Sequence, residues 1–319
     1  MSRSIAVLCG GVGAARFLRA LCSVVSADEV TAIVNTGDDT DLHGLRICPD
    51  LDTVTYTLAG AIDPERGWGL VGETWDAMGA LERYAEVIPP GSVAGGTWFG
   101  LGDRDLATHL YRTGRLAEGA GLTEVTAEIA AAWGVGVEVL PMSDGNHATV
   151  VSLADGGEVT FQDYFVRLRH SVPVAGVRFD SDGSPATPRV LEALRDAEVV
   201  VIAPSNPFVS IAPIRALDGV DELLASRRAS VVAVSPIVGG EALKGPAARM
   251  AVELGHSSDV TAVAALYAEV ASALVIDPVD GHLADSVVAA GMRPVAVPSV
   301  MSDPVVAARL AEATIAAAR

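Results

Sequence analysis

Five aspartates, Asp38, Asp39, Asp41, Asp50 and Asp52, fall within fifteen residues of the stretch DDTDLHGLRICPDLD. Carboxylates crowded in this way repel one another unless a cation sits among them. A magnesium ion held by one or two of them, together with phosphate oxygens, would relieve the repulsion. Simpler uses exist for others: Asp50 can cap a helix over 51–58 and Asp41 can face solvent. Two of the five are therefore expected to be functional and the rest structural.

A second stretch, VLCGGVGAARFL at 7–18, runs from a strand into a helix through Gly10, Gly11 and Gly13. Glycines there let backbone N–H groups approach an anion at the positive end of the helix. A nicotinamide fingerprint would need a third glycine where Arg16 stands, although an acidic residue, Asp38, does follow the second strand. A dinucleotide site, another nucleotide site and a plain turn all stay open on these residues.

Two further loops follow apolar runs: APSNPFVSI at 203–211, with Ser205 and Asn206 ahead of a helix that Pro207 helps to start, and SPIVGGEALKGPA at 235–247, which carries Lys244. In TWFGLGDRDLATH at 97–109, Trp98 and Phe99 on a glycine-rich loop can offer a flat face to an aromatic ligand, and Asp103 is expected to cap the helix that follows. His43 and His109 have no serine or cysteine partner at a recognisable spacing, so structural roles are expected first and ligand contacts second.

These loops need a frame. Continuous apolar runs at 5–8, 31–34, 199–202, 231–234, 273–276 and 294–297 read as buried strands, and helices are expected over 14–25, 247–254, 260–271 and 303–318, the last capped by Ser302 or Asp303. The alternation predicts an α/β fold, a Rossmann-like doubly wound and mostly parallel sheet. Residues 61–190 read differently, with helices over 73–85, 103–113 and 122–132 and a hairpin of 149–153 with 158–161. They are expected to be an α+β insertion walling the sheet within a single domain over 1–319.

The net charge of −18 and a lone lysine among 22 basic residues argue against nucleic acid and anionic lipid as partners. Three cysteines without a CxxC pair suit reduced thiols inside a cell, and neither a signal peptide nor an apolar stretch of membrane-spanning length is evident, so a cytoplasmic protein is expected.

Taken together, GGVGAARFL, VNTGDDTDLHGLRICPDLDTVTYTLAG, WFGLGDRDLATHL, APSNPFVSI and SPIVGGEALKGPA resemble the 2-phospho-L-lactate transferases, which build the deazaflavin coenzyme F(420). The resemblance implies transfer of a phosphoenolpyruvyl or 2-phospholactyl group from a guanosine diphosphate-linked donor to the ribityl hydroxyl of the deazariboflavin Fo, with magnesium present, GMP released and a homodimer as the working form. It implies that Asp38 and Asp50 or Asp52 hold the metal and that one of them, or Asp39, takes the hydroxyl proton. Gly11, Gly13, Ser205, Asn206 and Lys244 are expected around the nucleotide and Trp98 and Phe99 around Fo, with Arg16, Asp103 and Ser210 as further substrate contacts. A related family shares the glycine loop and the TGDD-like stretch but binds nucleotide sugars as a regulator of the gluconeogenesis-factor type, and supplies the alternative reading.

Overall fold

The computed structural model describes residues 4–84, 86–89, 92, 94, 96–242 and 245–318. Its strands, in chain order, are β1 (Ile5–Cys9), β2 (Val30–Val34), β3 (Thr40–Leu42), β4 (Leu45–Ile47), β5 (Glu138–Pro141), β6 (His147–Leu153), β7 (Glu158–Thr160), β8 (Val174–Ser181), β9 (Val199–Ile202), β10 (Val231–Val234), β11 (Ile237–Val238), β12 (Glu241–Ala242), β13 (Ala273–Ile276) and β14 (Arg293–Ala296). Seven of them form one sheet in the order β14-β13-β10-β9-β1-β2-β5, with every pairing parallel. The doubly wound α/β frame is thus as expected.

Alternate residues of each central strand enter different cores, which is why the strands read as unbroken apolar runs. On β1, Ile5, Val7 and Cys9 face one core while Ala6 and Leu8 face the other. The first core is closed by α1 (Gly11–Leu21), by α2 (Pro49–Leu58) through Leu51 and Val54, and by the C-terminal helix. Between these in the chain come α3 (Asp76–Leu81), α4 (Asp105–Ala117), α5 (Leu122–Ala132), α6 (Pro188–Asp196), α7 (Ala212–Arg215), α8 (Val220–Ser226), α9 (Ala247–Glu253), α10 (Val260–Tyr267) and α11 (Ala284–Ala289), and the C-terminal helix is α12 (Pro304–Ala316). Helices α6, α8 and α10 cover the opposite face through Val190, Leu194, Leu224 and Val263.

Several boundaries differ for local reasons. Helix α1 starts at Gly11, with Gly10 extended before it, and ends at Leu21 rather than Val25, so the glycines form its first turn. Asp303 is the cap of α12, its side chain accepting from the Val305 and Val306 amides. The carboxylate-rich stretch contains an antiparallel hairpin, β3 with β4, turning at His43 and Gly44, both at positive φ.

The insertion is divided rather than continuous. Residues 138–141 lie inside the 61–190 span yet pair with β2 as the edge strand of the main sheet. What departs from the sheet is the helical part before them and, after them, an antiparallel sheet in the order β7-β6-β8, whose third strand joins the expected hairpin. A satellite core of Val151, Phe161, Tyr164, Val174, Val209 and Met250 fastens this small sheet to the frame.

The chain passes from β1 outward to β2, then returns to pair β9 on the other side of β1. This reversal leaves a crevice at the carboxyl ends of β1 and β9, the usual place for a ligand in an open α/β sheet. Leu8, fully buried on β1, should cost about 2–5 kcal/mol when cut to alanine. Val305→Ala, at a position 60% exposed on α12, should change stability by less than about 0.5 kcal/mol. Urea unfolding of the two variants beside the parent checks the contrast.

Candidate active site

Two hydrogen bonds stitch the crevice together. The Ser205 hydroxyl donates to the Gly10 carbonyl at 2.9 Å and accepts from the Gly10 amide at 3.2 Å. Ser205 thus joins the loop after β9 to the loop after β1, and Gly13 lets them close, because a Cβ there would lie 2.6 Å from the Pro204 carbonyl oxygen. Gly10 is required for a different reason: a Cβ on it would fall 2.5 Å from Oδ2 of Asp50.

Asp50, in the first turn of α2, is 7% exposed. Its Oδ1 accepts from the Gly11 amide at 2.8 Å and its Oδ2 from Asn35 Nδ2 at 3.0 Å. Asn35, at the end of β2, also takes the Gly37 amide on its Oδ1 at 2.9 Å, which shapes the turn that presents Asp38. Asp38 is buried, and its Oδ1 has no hydrogen-bond partner among the described residues. Burial first, and then the charge of Asp50, holds the Asp38 carboxyl well above the usual carboxylate range, and burial raises Asp50 as well. Two buried carboxylates raised in this way repel each other and are relieved by a shared proton or by a cation.

These residues line one cavity of about 720 Å³, a size that holds a small-molecule substrate. Its wall includes Gly11, Gly13, Arg16, Asp38, Asp50, Asp52, Trp98, Phe99, Ser205, Asn206 and Ser210. Asn206 reaches it as the cap of a π-helical turn, Pro207–Ile211, where its Oδ1 accepts from the Phe208 amide at 3.0 Å. Trp98 and Phe99 meet edge to face, with centroids 5.7 Å apart, and rest against the small core of Leu42, Ile47, Met78 and Leu101.

Three expectations change. Asp39 lies outside the cavity wall: its Oδ2 accepts from the Cys48 thiol at 2.9 Å and pairs with Arg46 at 3.4 Å. Asp103 is outside it too and caps a different helix, taking the Asp76 and Ala77 amides at 2.8 and 2.9 Å at the start of α3. Asp52 lines the cavity, but both its oxygens are taken by the fully buried Arg112, a guanidinium that competes with any metal there. Lys244 lies outside the described residues.

Sequence reasoning missed Tyr56, Trp68, Asp105, His109, Phe161 and Phe165, all on the cavity wall. Asp105 accepts from the Tyr56 hydroxyl at 2.5 Å, and its Oδ2 lies 3.4 Å from Nε2 of the buried His109. Asp52, Asp105 and His109 come close enough to share an ion, with atoms within 4.8 Å of one another. Arg112 already supplies the positive charge of that cluster. Phe161 and Phe165 stack 5.5 Å apart and form a second aromatic wall.

Comparison with known proteins follows the same lines. A model of the 2-phospho-L-lactate transferase CofD family matches residues 5–307. A "phosphoenolpyruvate transferase" of Kitasatospora aureofaciens is 42% identical over 98% of this chain and 97% of its own length. Another of that name from Streptomyces griseus is 44% identical over 94% of this chain and 93% of its own. Two crystal structures of protein BH3568 from Bacillus halodurans, one titled as a member of the upf0052 family, share the fold. One has a TM-score of 0.60 at 18% identity, covering 93% of this chain and 92% of that one. The other has 0.61 at 16%, covering 99% of each.

Burial pushes the Asp39 carboxyl up to about 7, with Arg46 and the Cys48 thiol pulling against it. The folded protein therefore keeps a proton that the unfolded chain has released, and stability falls as pH rises from about 4 through 7. Asp39→Asn removes that contribution. Urea midpoints at pH 5 and pH 8 should show a smaller loss on going alkaline in the variant than in the parent; an equal loss would place the titration elsewhere.

Proposed function

The chain belongs to the 2-phospho-L-lactate transferase family and is a transferase, and from this we propose that it moves a phosphoenolpyruvyl group from a guanosine diphosphate-linked donor to the ribityl hydroxyl of Fo, in coenzyme F(420) biosynthesis. The enolpyruvyl donor is preferred over the 2-phospholactyl one because the relatives above 40% identity carry the phosphoenolpyruvate name. The observation that carries the reading is that the Gly10–Gly13 loop and the Asp38–Asp50 pair line the same cavity as Trp98 and Phe99. A phosphate-bearing donor and a planar acceptor would thus meet in one cavity.

The transfer is a displacement at phosphorus. The ribityl oxygen bonds to the phosphorus that bears the three-carbon acid, the bond from that phosphorus to the GMP oxygen breaks, and GMP leaves with the electron pair. Positioning and charge neutralisation do most of such work. Asp38 and Asp50 fit magnesium: both are buried, and Asp38 Oδ1 has no partner among the described residues. Magnesium bound there would neutralise charge on the non-bridging phosphate oxygens. Gly11 and Asn35 keep Asp50 aimed at the cavity, and the Asp38 carboxylate takes the hydroxyl proton on the oxygen that the ion leaves free. The amides of Val12 and Gly13, in the first turn of α1, have no carbonyl four residues back within the helix and can take a phosphate oxygen. The same reading includes a homodimer working in the cytoplasm.

Mass spectrometry of the product from Fo with each guanosine diphosphate ester tests the proposal. Transfer with release of GMP supports it, whereas nucleotide binding with no product from either ester makes the chain a binding protein. Asp38→Asn should lower turnover about a hundredfold to ten-thousandfold while the melting temperature holds or rises, because a buried, repelled charge is removed. Near-parental turnover would take Asp38 out of the mechanism. Replacing Trp98 and Phe99 together with alanine should weaken Fo binding, read by titration of Fo absorbance or fluorescence, and leave GDP affinity unchanged. Unaltered Fo affinity would assign the pair to the core.

A further inference from the structure

The cavity wall is acidic, with Asp38, Asp50, Asp52 and Asp105, and Arg16 is the sole arginine or lysine among its described residues. Three of these carboxylates have an answering group in the protein: Arg112 holds Asp52, Tyr56 and His109 face Asp105, and Gly11 with Asn35 holds Asp50. Asp38, whose Oδ1 has no partner among the described residues, belongs with Asp50 to the proposed cation site. Arg16 has no answering group: among the described residues it makes no hydrogen bond or ion pair, although it is half-buried on α1. A guanidinium withdrawn from part of its water without a partner is costly, and an anion entering the cavity would satisfy it.

Resting on the transferase reading, we infer that Arg16 grips the carboxylate of the three-carbon acid being transferred and so selects donors that carry an acid. The donor presents two kinds of negative charge. Its diphosphate is answered by the cation site and by the opening amides of α1. Its carboxylate would otherwise approach four aspartates, and Arg16 is the one fixed positive group on the described wall that no carboxylate already holds. Helical side chains lean back toward the N-terminus, and Arg16 lines the cavity together with Val12 and Gly13 of the preceding turn, the place for the diphosphate. A guanidinium there can take a carboxylate with two parallel N–H···O bonds.

Calorimetric binding in magnesium, without acceptor, tests this independently of turnover. Three ligands are compared on the parent, Arg16→Gln and Arg16→Lys: GDP, the GDP ester of the three-carbon acid, and GDP ethyl ester, which lacks the carboxylate. The parent should prefer the acid ester over the ethyl ester. Arg16→Gln should lose about tenfold to a hundredfold in affinity for the acid ester, bind GDP within about twofold of the parent, and no longer separate the two esters. Arg16→Lys should recover the preference only in part, since an ammonium lacks the fork. Equal weakening of all three ligands would make Arg16 a phosphate contact and overturn the inference, as would unchanged binding of all three. Failure of the parent to form product with Fo would overturn the transferase reading and leave these affinities to judge Arg16.

Discussion

The structure around the cavity is organised by one buried carboxylate. Asp50 accepts from the Gly11 amide and from Asn35, so it joins the loop after β1, the end of β2 and the start of α2. A carboxylate withdrawn from water must be answered on its own oxygens, and both amides that answer it come from strand ends. Gly10 follows from this, because any side chain there would occupy the place of Oδ2. The glycine loop is therefore built first around an acid of the protein itself, which takes the Gly11 amide and leaves those of Val12 and Gly13 as the next in the first turn of α1.

This shifts the meaning of the glycine motif. Gly10 makes room for Asp50, Gly11 stands at positive φ, and Gly13 makes room for the Pro204 carbonyl. With close packing of the helix against the neighbouring loop already met at Gly13, the place of a third glycine is released to a side chain. Arg16 occupies it, which brings a cation to an otherwise acidic wall.

The central strands were legible in the sequence because burial on both faces leaves an unbroken apolar run, as in Val199–Ile202. The edge strand Glu138–Pro141 was not, since four residues with a charge at one end and proline at the other carry no such signature. That some of the five aspartates would serve a site could be read from crowding alone, though not which. What crowding could not show was that Arg112, 60 residues away, claims Asp52, or that Asp103 caps a helix that precedes it in the chain. Nor could local pattern place Phe161 on the cavity, because a satellite core linking β6, a π-helical turn and α9 sets its position, and Phe165 joins it by stacking on Phe161. Features fixed by neighbours in sequence were readable. Those fixed by partners far along the chain needed the fold.

The pairing of Gly10 with Ser205 spans 195 positions. A contact of that separation closes a very long loop, and its entropic cost falls before any stabilising contact is made. During synthesis β1 emerges early and waits unpaired on one side until β9 has left the ribosome. The ligand crevice is thus among the late events of folding, completed only after nearly two thirds of the chain has been made. Until then the glycine loop lacks its neighbour across the crevice, and the cavity of the finished protein does not exist in a nascent chain.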